Sequence, residues 1–497
     1  MKLKSLTMTA LAGSQFAASA LAADNVSTNS EAAEIAALKK EIQALEQKVE
    51  TLEQQQQKSQ AAAAAAQAPA AAQVEALDQK DRILERERED DQAAAADLAK
   101  NQPKFALTQN GFSFSSSDSN FVAELHGVLQ ADTRSFFNDG GNNGDDGFLL
   151  RRARPIFTGT VFHDFDFNFT PDFGGSTVQI FDAYVNYHYN SALQLQVGKF
   201  KAPVGLEALV ADRDLLFNER SLATDLVPNR ELGAEFHGGV LDNVVSYGLG
   251  VFSGGYDYTG TTINSPSQDD LAFEGRLIFQ PLKNSDVYAL RGLGFGVAGT
   301  YLDNHPQTNS ATGLTPGYTT DGQEKFFTYN AGVDADGAGW RVEPQAYYYY
   351  GPLGMLGEYV VSDQQVGLLK KSADLQNTAW EVTGSWVLTG EDAAYTGVTP
   401  LHPFDPRTGG WGAWQLVGRY ASLSVDSKAF SDGFASPTKS ADGANAWAVG
   451  LNWYLNRNIR ADLSFSHTWF DGYTGKAAPG VPAQPENVLF SRFQIAF

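Results

Sequence analysis

Cysteine is absent from this 497-residue chain, which excludes disulfide frameworks and thiolate metal or redox sites. Basic residues are also scarce. Lysine and arginine total 36 against 58 aspartates and glutamates, a net charge of −22, and phosphate contacts to nucleic acid need a basic surface. No nucleic-acid partner is therefore expected. Long apolar runs are missing too: past residue 22 no stretch of about 18 apolar residues occurs, so a membrane would have to be crossed by strands. Enzyme signatures are likewise lacking. There is no Gly-x-Ser-x-Gly elbow, no His-Glu-x-x-His and no phosphate loop, and the 7 histidines are scattered rather than set at ligand spacing. The expectation is a protein that is not an enzyme and holds no metal or cofactor.

What is present begins with "MKLKSLTMTALAGSQFAASALAAD": two early lysines, a short apolar run and an Ala-Leu-Ala site. This pattern predicts a secretory signal peptide over residues 1–22. Residues 23–54 contain "EAAEIAALKKEIQALEQKVETLEQ", with Ile35, Leu38, Ile42, Leu45, Val49 and Leu52 at alternating spacings of three and four. That is a heptad seam, and an amphipathic helix this short needs a partner in water, so a coiled coil is expected. Residues 55–110 are rich in alanine, glutamine and charge, which reads as a low-complexity spacer, part helical and part flexible.

From 111 to 497 the period changes. Segments of about ten residues alternate apolar with polar side chains and are separated by Gly, Asn, Asp and Pro clusters, the signature of β-strands. In "AWEVTGSWVLTG", Trp380, Val382 and Trp386 share one phase, and Glu381, Thr383 and Ser385 the other. In "VFHDFDFNFTPDFG", Phe165, Phe167 and Phe169 oppose Asp164, Asp166 and Asn168. Aromatics gather near strand ends, Trp453 and Tyr454 beside an "LNRN" turn among them, as in an interfacial girdle. The chain ends on Phe497 in phase with Ile495 and Phe493, which resembles the signal read by the outer-membrane barrel assembly machinery. Together these features predict an all-β transmembrane antiparallel barrel of about 16 strands, preceded by the α-helical coiled coil and spacer. The expected location is the outer membrane of a Gram-negative cell, with the N-terminal segment in the periplasm and lipid and lipopolysaccharide around the barrel.

Several stretches, in order, resemble the phosphate-selective porins O and P: "LRRARPIFTGTVFHDFDFNFTPDFG", "FDAYVNYHY", "LQVGKFKAPVGLEAL", "FNERSLATDLVPNRELGAEF", "YYYYGPLGMLGEYVV", "WVLTGED", "GAWQLVGRYASL" and "GLNWYLN". The resemblance implies a homotrimer of 16-stranded barrels that passes phosphate or related small anions by diffusion. It also implies a long loop folded into each barrel, for which residues 201–231 are the candidate. The family pattern implies a lysine just after the "LE" of that loop, whereas Ala208 stands here with the acidic neighbours Asp212, Asp214 and Asp225. That departure weakens the case for phosphate.

Arginine suits an oxyanion because its planar fork donates two charge-assisted hydrogen bonds. Extending the phase of Asp164 backwards places Arg152 and Arg154 on the polar row, facing the lumen if the phenyl rings face lipid. A strand end at the headgroups is the other reading of that pair. Arg220 of "NERS" is the leading pore residue of the loop, followed by Arg213 and Arg230, with Glu219 or Glu207 as partners that would instead make Arg220 structural. Arg276, Lys199, Lys201 and Glu219 are weaker pore-lining candidates: Arg276 shares a phase with Glu274 and so invites an internal ion pair, and both lysines sit where surface anchoring is an alternative. Two rival functions stay open. One is a less selective or sugar-type porin with Tyr347 and Tyr349, or Tyr348 and Tyr350, as an aromatic track; the other is an envelope tether acting through the coiled coil.

Overall fold

The computed structural model describes residues 31–137, 144–175, 177–254, 271–304, 317–472 and 484–497; the expected signal peptide lies outside the described residues. The chain divides into two units. The first is one continuous helix, α1 (Glu31–Asn101). It runs through the segment expected to be part flexible, because alanine has the highest helix propensity and the spacer is dense in it. Of the heptad seam, Ile42, Leu45, Val49 and Leu52 are exposed in the single chain.

The second unit is a closed antiparallel barrel. Its sixteen strands are β1 (Phe121–Phe137), β2 (Gly147–Val161), β3 (Phe165–Asp172), β4 (Gln179–Asn190), β5 (Leu193–Lys201), β6 (Arg230–Val240), β7 (Val245–Phe252) and β8 (Ala272–Phe279), followed by β9 (Leu293–Asn304), β10 (Asp334–Tyr350), β11 (Leu353–Leu368), β12 (Lys371–Val387), β13 (Ala413–Ser424), β14 (Gly443–Tyr454), β15 (Ile459–Asp471) and β16 (Glu486–Ala496). Each strand pairs with the next, and β16 returns to β1 with Ile495 opposite Leu129, so no barrel edge is left to pair with another chain. Phe497 completes the seam: its N–H donates to the Gly127 carbonyl at 3.0 Å and its own carbonyl accepts from Gly127 N–H at 2.9 Å. Its ring lies where a Gly127 Cβ would stand, 2.8 Å away, so a side chain there would push the terminal phenyl off the seam. A short hairpin, Lys104–Thr108 with Gly111–Ser115, is added at this rim by pairing Phe112 with Leu125.

The phases are inverted relative to a soluble core. Outward rows are apolar and exposed, such as Trp380, Val382 and Trp386 of β12 and Phe273 and Leu277 of β8, while the inward Glu381, Thr383 and Glu274 are buried. A lipid-facing outside and a polar inside are what a membrane barrel requires. Phe157 pairs with Phe169 across β2 and β3, both exposed, and Thr160 donates to Asp166 at 2.8 Å on the inner face. One girdle expectation is corrected. Trp453 stacks on Trp414 at 5.0 Å outside, but Tyr454, one residue on, points inward and donates to Gln415, because neighbours on a strand face opposite sides.

Short turns, such as 191–192, 241–244, 351–352 and 455–458, lie at the rim that carries Phe121 and Phe497. From the opposite rim the connection 202–229 between β5 and β6 enters the barrel, as expected of the segment read as a constriction loop. It contains a short helix, α2 (Leu206–Leu209), and a 3-10 turn over Leu222–Leu226. The turn packs Leu222, Leu226 and Val227 against inward Val360, Ala379 and Ala421, together with Tyr318, Phe327 and Phe434 of other loops. That apolar cluster lies inside the barrel beside β11 to β13.

Candidate functional site

The loop crosses the lumen pinned on both sides. Beside β10 and β11 its anchors are backbone donors. Gly205 N–H and Leu206 N–H donate to Glu343 at 2.6 and 2.9 Å, and Leu206 also lies 2.5 Å from Glu358. Unpaired N–H groups starting a helical turn suit a carboxylate, and Gly205, at φ 89°, takes a left-handed conformation that brings them round. Tyr395, from the 388–412 connection, donates to the Leu206 carbonyl at 2.5 Å and so fixes the other side of that residue.

On the side of β1 to β6 the anchors are ion pairs. Glu219 takes Arg151 Nε at 2.6 Å and Nη2 at 2.9 Å, and Arg134 Nη2 at 2.9 Å. Asp212 sits among four guanidiniums: Arg154 Nη1 on Oδ2, Arg220 Nη1 at 2.8 Å, Arg152 Nη2 at 3.5 Å and Arg230 Nη2 at 3.9 Å. Burial opposes charge on Asp212, yet Arg152, Arg154, Arg220 and Lys201 hold its carboxyl well below the usual carboxylate range. Glu219 is lowered in the same way, burial being outweighed by Arg151, Arg152 and Arg134. The Arg220 guanidinium is partly buried, which opposes its charge, yet Asp212 and Glu207 raise its pKa above the ordinary value.

These groups line a cavity of about 370 Å³ bounded by six arginines, Arg134, Arg151, Arg152, Arg154, Arg220 and Arg230, and by Asp172, Asp212, Glu219 and Asp225. Phe181 lies between two of the arginines, with Arg154 3.8 Å and Arg230 4.5 Å from its ring centroid. Such cation–π contacts orient guanidiniums without neutralising them.

Two bulges build this wall. Between β1 and β2 the register steps from Gln130 opposite Arg152 to Ala131 opposite Leu150, which makes Arg151 the extra residue of β2. Between β3 and β4 it steps from Thr170 opposite Asp182 to Pro171 opposite Ile180, leaving Phe181 unpaired. A bulge puts two successive side chains on one face, so Arg151 joins Arg152 and Phe181 joins Asp182 inside. Strict alternation assigns both extra residues to lipid, and the sequence reading missed them for that reason.

The expected site residues do not all come together. Arg152, Arg154, Arg220 and Arg230 converge on Asp212, so the strand-end reading of the first two does not hold. Arg220 pairs with Asp212 and donates to the Glu207 and Val210 carbonyls, while Glu219, expected as its partner, serves Arg134 and Arg151 instead. Arg213 stands apart, 53% exposed, 3.5 Å from Asp214 in a second cavity. Both lysines are turned away from surface anchoring: Lys199 is buried in register with Ala183 and Leu232, and Lys201 Nζ donates to the carbonyls of Ala208 and Val210 at 2.7 and 2.8 Å. Arg276 donates to Gln345 at 2.8 Å rather than pairing with Glu274, since the long side chain reaches across β9 to β10. Tyr347 and Tyr349 lie 6.0 Å apart, with Tyr395 6.4 Å from Tyr347, whereas Tyr348 stacks with the exposed Tyr350.

The sequence pattern described as phosphate-selective porin O and P matches residues 124–497. Porin O of Pseudomonas aeruginosa is 23% identical over 390 residues, covering 72% of this chain and 85% of that protein. Among solved structures, the outer membrane channel DcaP of Acinetobacter baumannii is similar in fold, with a TM-score of 0.50 and 11% identity over 77% of this chain and 99% of that one.

Proposed function

The chain belongs to the phosphate-selective porin O and P family and is an outer-membrane porin, and from that premise we propose that it passes small anions, phosphate among them, by passive diffusion. The observation that carries this reading is the cavity beside the constriction loop, where six guanidiniums meet four carboxylates. An ion entering a narrow, low-dielectric passage sheds water and needs charge and donors in return. A surplus of arginine offers both to an oxyanion and repels cations. Three barrels associate as a trimer, and the coiled coil lies in the periplasm, where the seam from Ile35 to Leu52 joins the helices of neighbouring copies.

The test is the reversal potential of the purified protein in planar bilayers under a potassium chloride gradient. A clear preference for chloride, with chloride current blocked by added phosphate, supports the proposal. A permeability ratio near one without block would overturn it. It would favour the less selective channel, for which Tyr347, Tyr349 and Tyr395 are the supporting observation. Deleting residues 23–110 separates the tether function: conductance stays, and envelope integrity falls only if the coiled coil carries load.

A further inference from the structure

The arginine cluster holds an anion of its own. Arg154 also pairs with Asp172 at 2.6 Å and Arg230 with Asp182 at 3.0 Å, so each has a carboxylate on its own wall. Among the described residues, Arg152 and Arg220 form no ion pair other than that with Asp212. Apart from Asp212 their partners are neutral: the Gln130 amide for Arg152, and the carbonyls of Glu207 and Val210 for Arg220. The fit is loose. Asp212 Oδ1 is buried 2.8 Å from Arg220 Nη1, yet it accepts no aligned hydrogen bond, and Arg152 Nε, buried on the wall of the same cavity, has no acceptor among the described residues. Glu219 differs, since Arg151 grips it through two parallel bonds.

We propose that Asp212 is a tethered counter-ion: its carboxylate fills the place between Arg152 and Arg220 that a free oxyanion would take, and it thereby limits how tightly the channel holds an anion in transit. The idea rests on the anion-channel reading above and assigns the residue that tunes it. Conduction requires a site strong enough to admit the ion and weak enough to release it. A planar carboxylate on a loop supplies that weakness, because the incoming ion meets guanidiniums already neutralised. Removing the charge leaves two buried donors without an anion, and a mobile one then binds in its place.

The test compares Asp212→Asn with the wild-type protein, both full-length in planar bilayers with inorganic phosphate as probe. With a charge-assisted contact restored to a free ion, block of chloride current should need about tenfold less phosphate in D212N. Half-block within about twofold of wild type would overturn the assignment. The wild-type chloride over potassium ratio tests the channel reading separately, since only the difference between the two proteins bears on Asp212. Folding supplies a second measurement. In detergent at equal ionic strength, exchanging chloride for phosphate should raise the thermal transition of D212N by several degrees more than that of the wild type. If D212N fails to assemble in chloride, refolding in phosphate should recover the barrel; equal shifts in both proteins, or no recovery, would again overturn the proposal.

Discussion

The constriction loop meets the barrel wall with opposite chemistry at two places, and a separate ion pair from Arg419 to Glu207, at 3.0 Å, ties it to β13. Beside β10 and β11 the wall offers carboxylates, Glu343 and Glu358, and the loop answers with backbone N–H groups. Beside β1 and β2 the wall offers guanidiniums and the loop answers with the carboxylates of Asp212 and Glu219. The first side is sealed further by apolar packing around Leu222 and Leu226, and the second keeps an open cavity. A backbone donor is immobile and carries no net charge, so the first contact can only fasten. A side-chain ion pair can fasten and also exchange its partner for a solute, which is why the proposed route for an anion runs along the second side.

The largest effect should come from removing a carboxylate on the ion-pair side that is fully engaged. Glu219→Gln takes a fully buried carboxylate away from the partly buried Arg134 and Arg151, a defect that costs about 3–5 kcal/mol. Urea unfolding followed by tryptophan fluorescence should show it. On the fastening side, Glu343→Gln removes one charged acceptor from Gly205 and Leu206, for about 1.5–3 kcal/mol. Because the loop then loosens without losing its arginines, single-channel current should become noisier while ion preference holds. If Glu343→Gln changes selectivity as much as Glu219→Gln does, the division of labour between the two sides is wrong.

Arg154→Gln addresses the route itself. It takes away a guanidinium that faces Phe181 and pairs with Asp172 and Asp212, so the cavity loses one of its six positive charges. The chloride over potassium permeability ratio should fall about threefold, less than one kcal/mol in the barrier, because five arginines remain. Arg276→Gln, on the other side of the lumen and bonded to the neutral Gln345, should change the ratio less. Equal changes from the two variants would show that the field of the whole lumen, rather than this cavity, sets preference.

Much of this was legible in the residue pattern and some was not, for reasons that can be named. Alternation placed Arg152 and Arg154 inside because a period of two is local and survives any barrel closure. Arg151 and Phe181 escaped because each sits at a one-residue step in register that flips a side chain; the visible trace of the second is Pro171, a residue tolerated in strands at bulges. The acidic Asp212 could be seen beside Arg220 in the loop, but that Arg152 and Arg154 reach it from another strand depends on where the loop folds. The apolar cluster inside the barrel was hidden for a similar reason, since inward Val360 and Leu222 are far apart in sequence and each is unremarkable alone.

The smallest expected effect is that of pH, and it separates the two arginine-paired acids of the loop, Asp212 and Glu219, from their neighbour Asp214. The pKa values of Asp212 and Glu219 are lowered in the folded protein. Their stabilising contribution is therefore fully present above their unfolded values, about 3.9 and 4.3, and is lost only as pH falls through the lower folded ones. Asp214, one turn of the loop away, goes the other way: burial raises its pKa, with Arg213 opposing, so it takes up a proton first on acidification. Neither Asp212 nor Glu219 should therefore move the permeability ratio on mild acidification. As pH falls through the raised Asp214 value the ratio should rise slightly towards anions, because Asp214 loses its charge beside the exposed Arg213. Asp214→Asn should hold the higher ratio throughout. A steep change that persists in that variant would mean that Asp212 or Glu219 titrates near neutrality, and that the ion-pair side is held far less firmly than its distances imply.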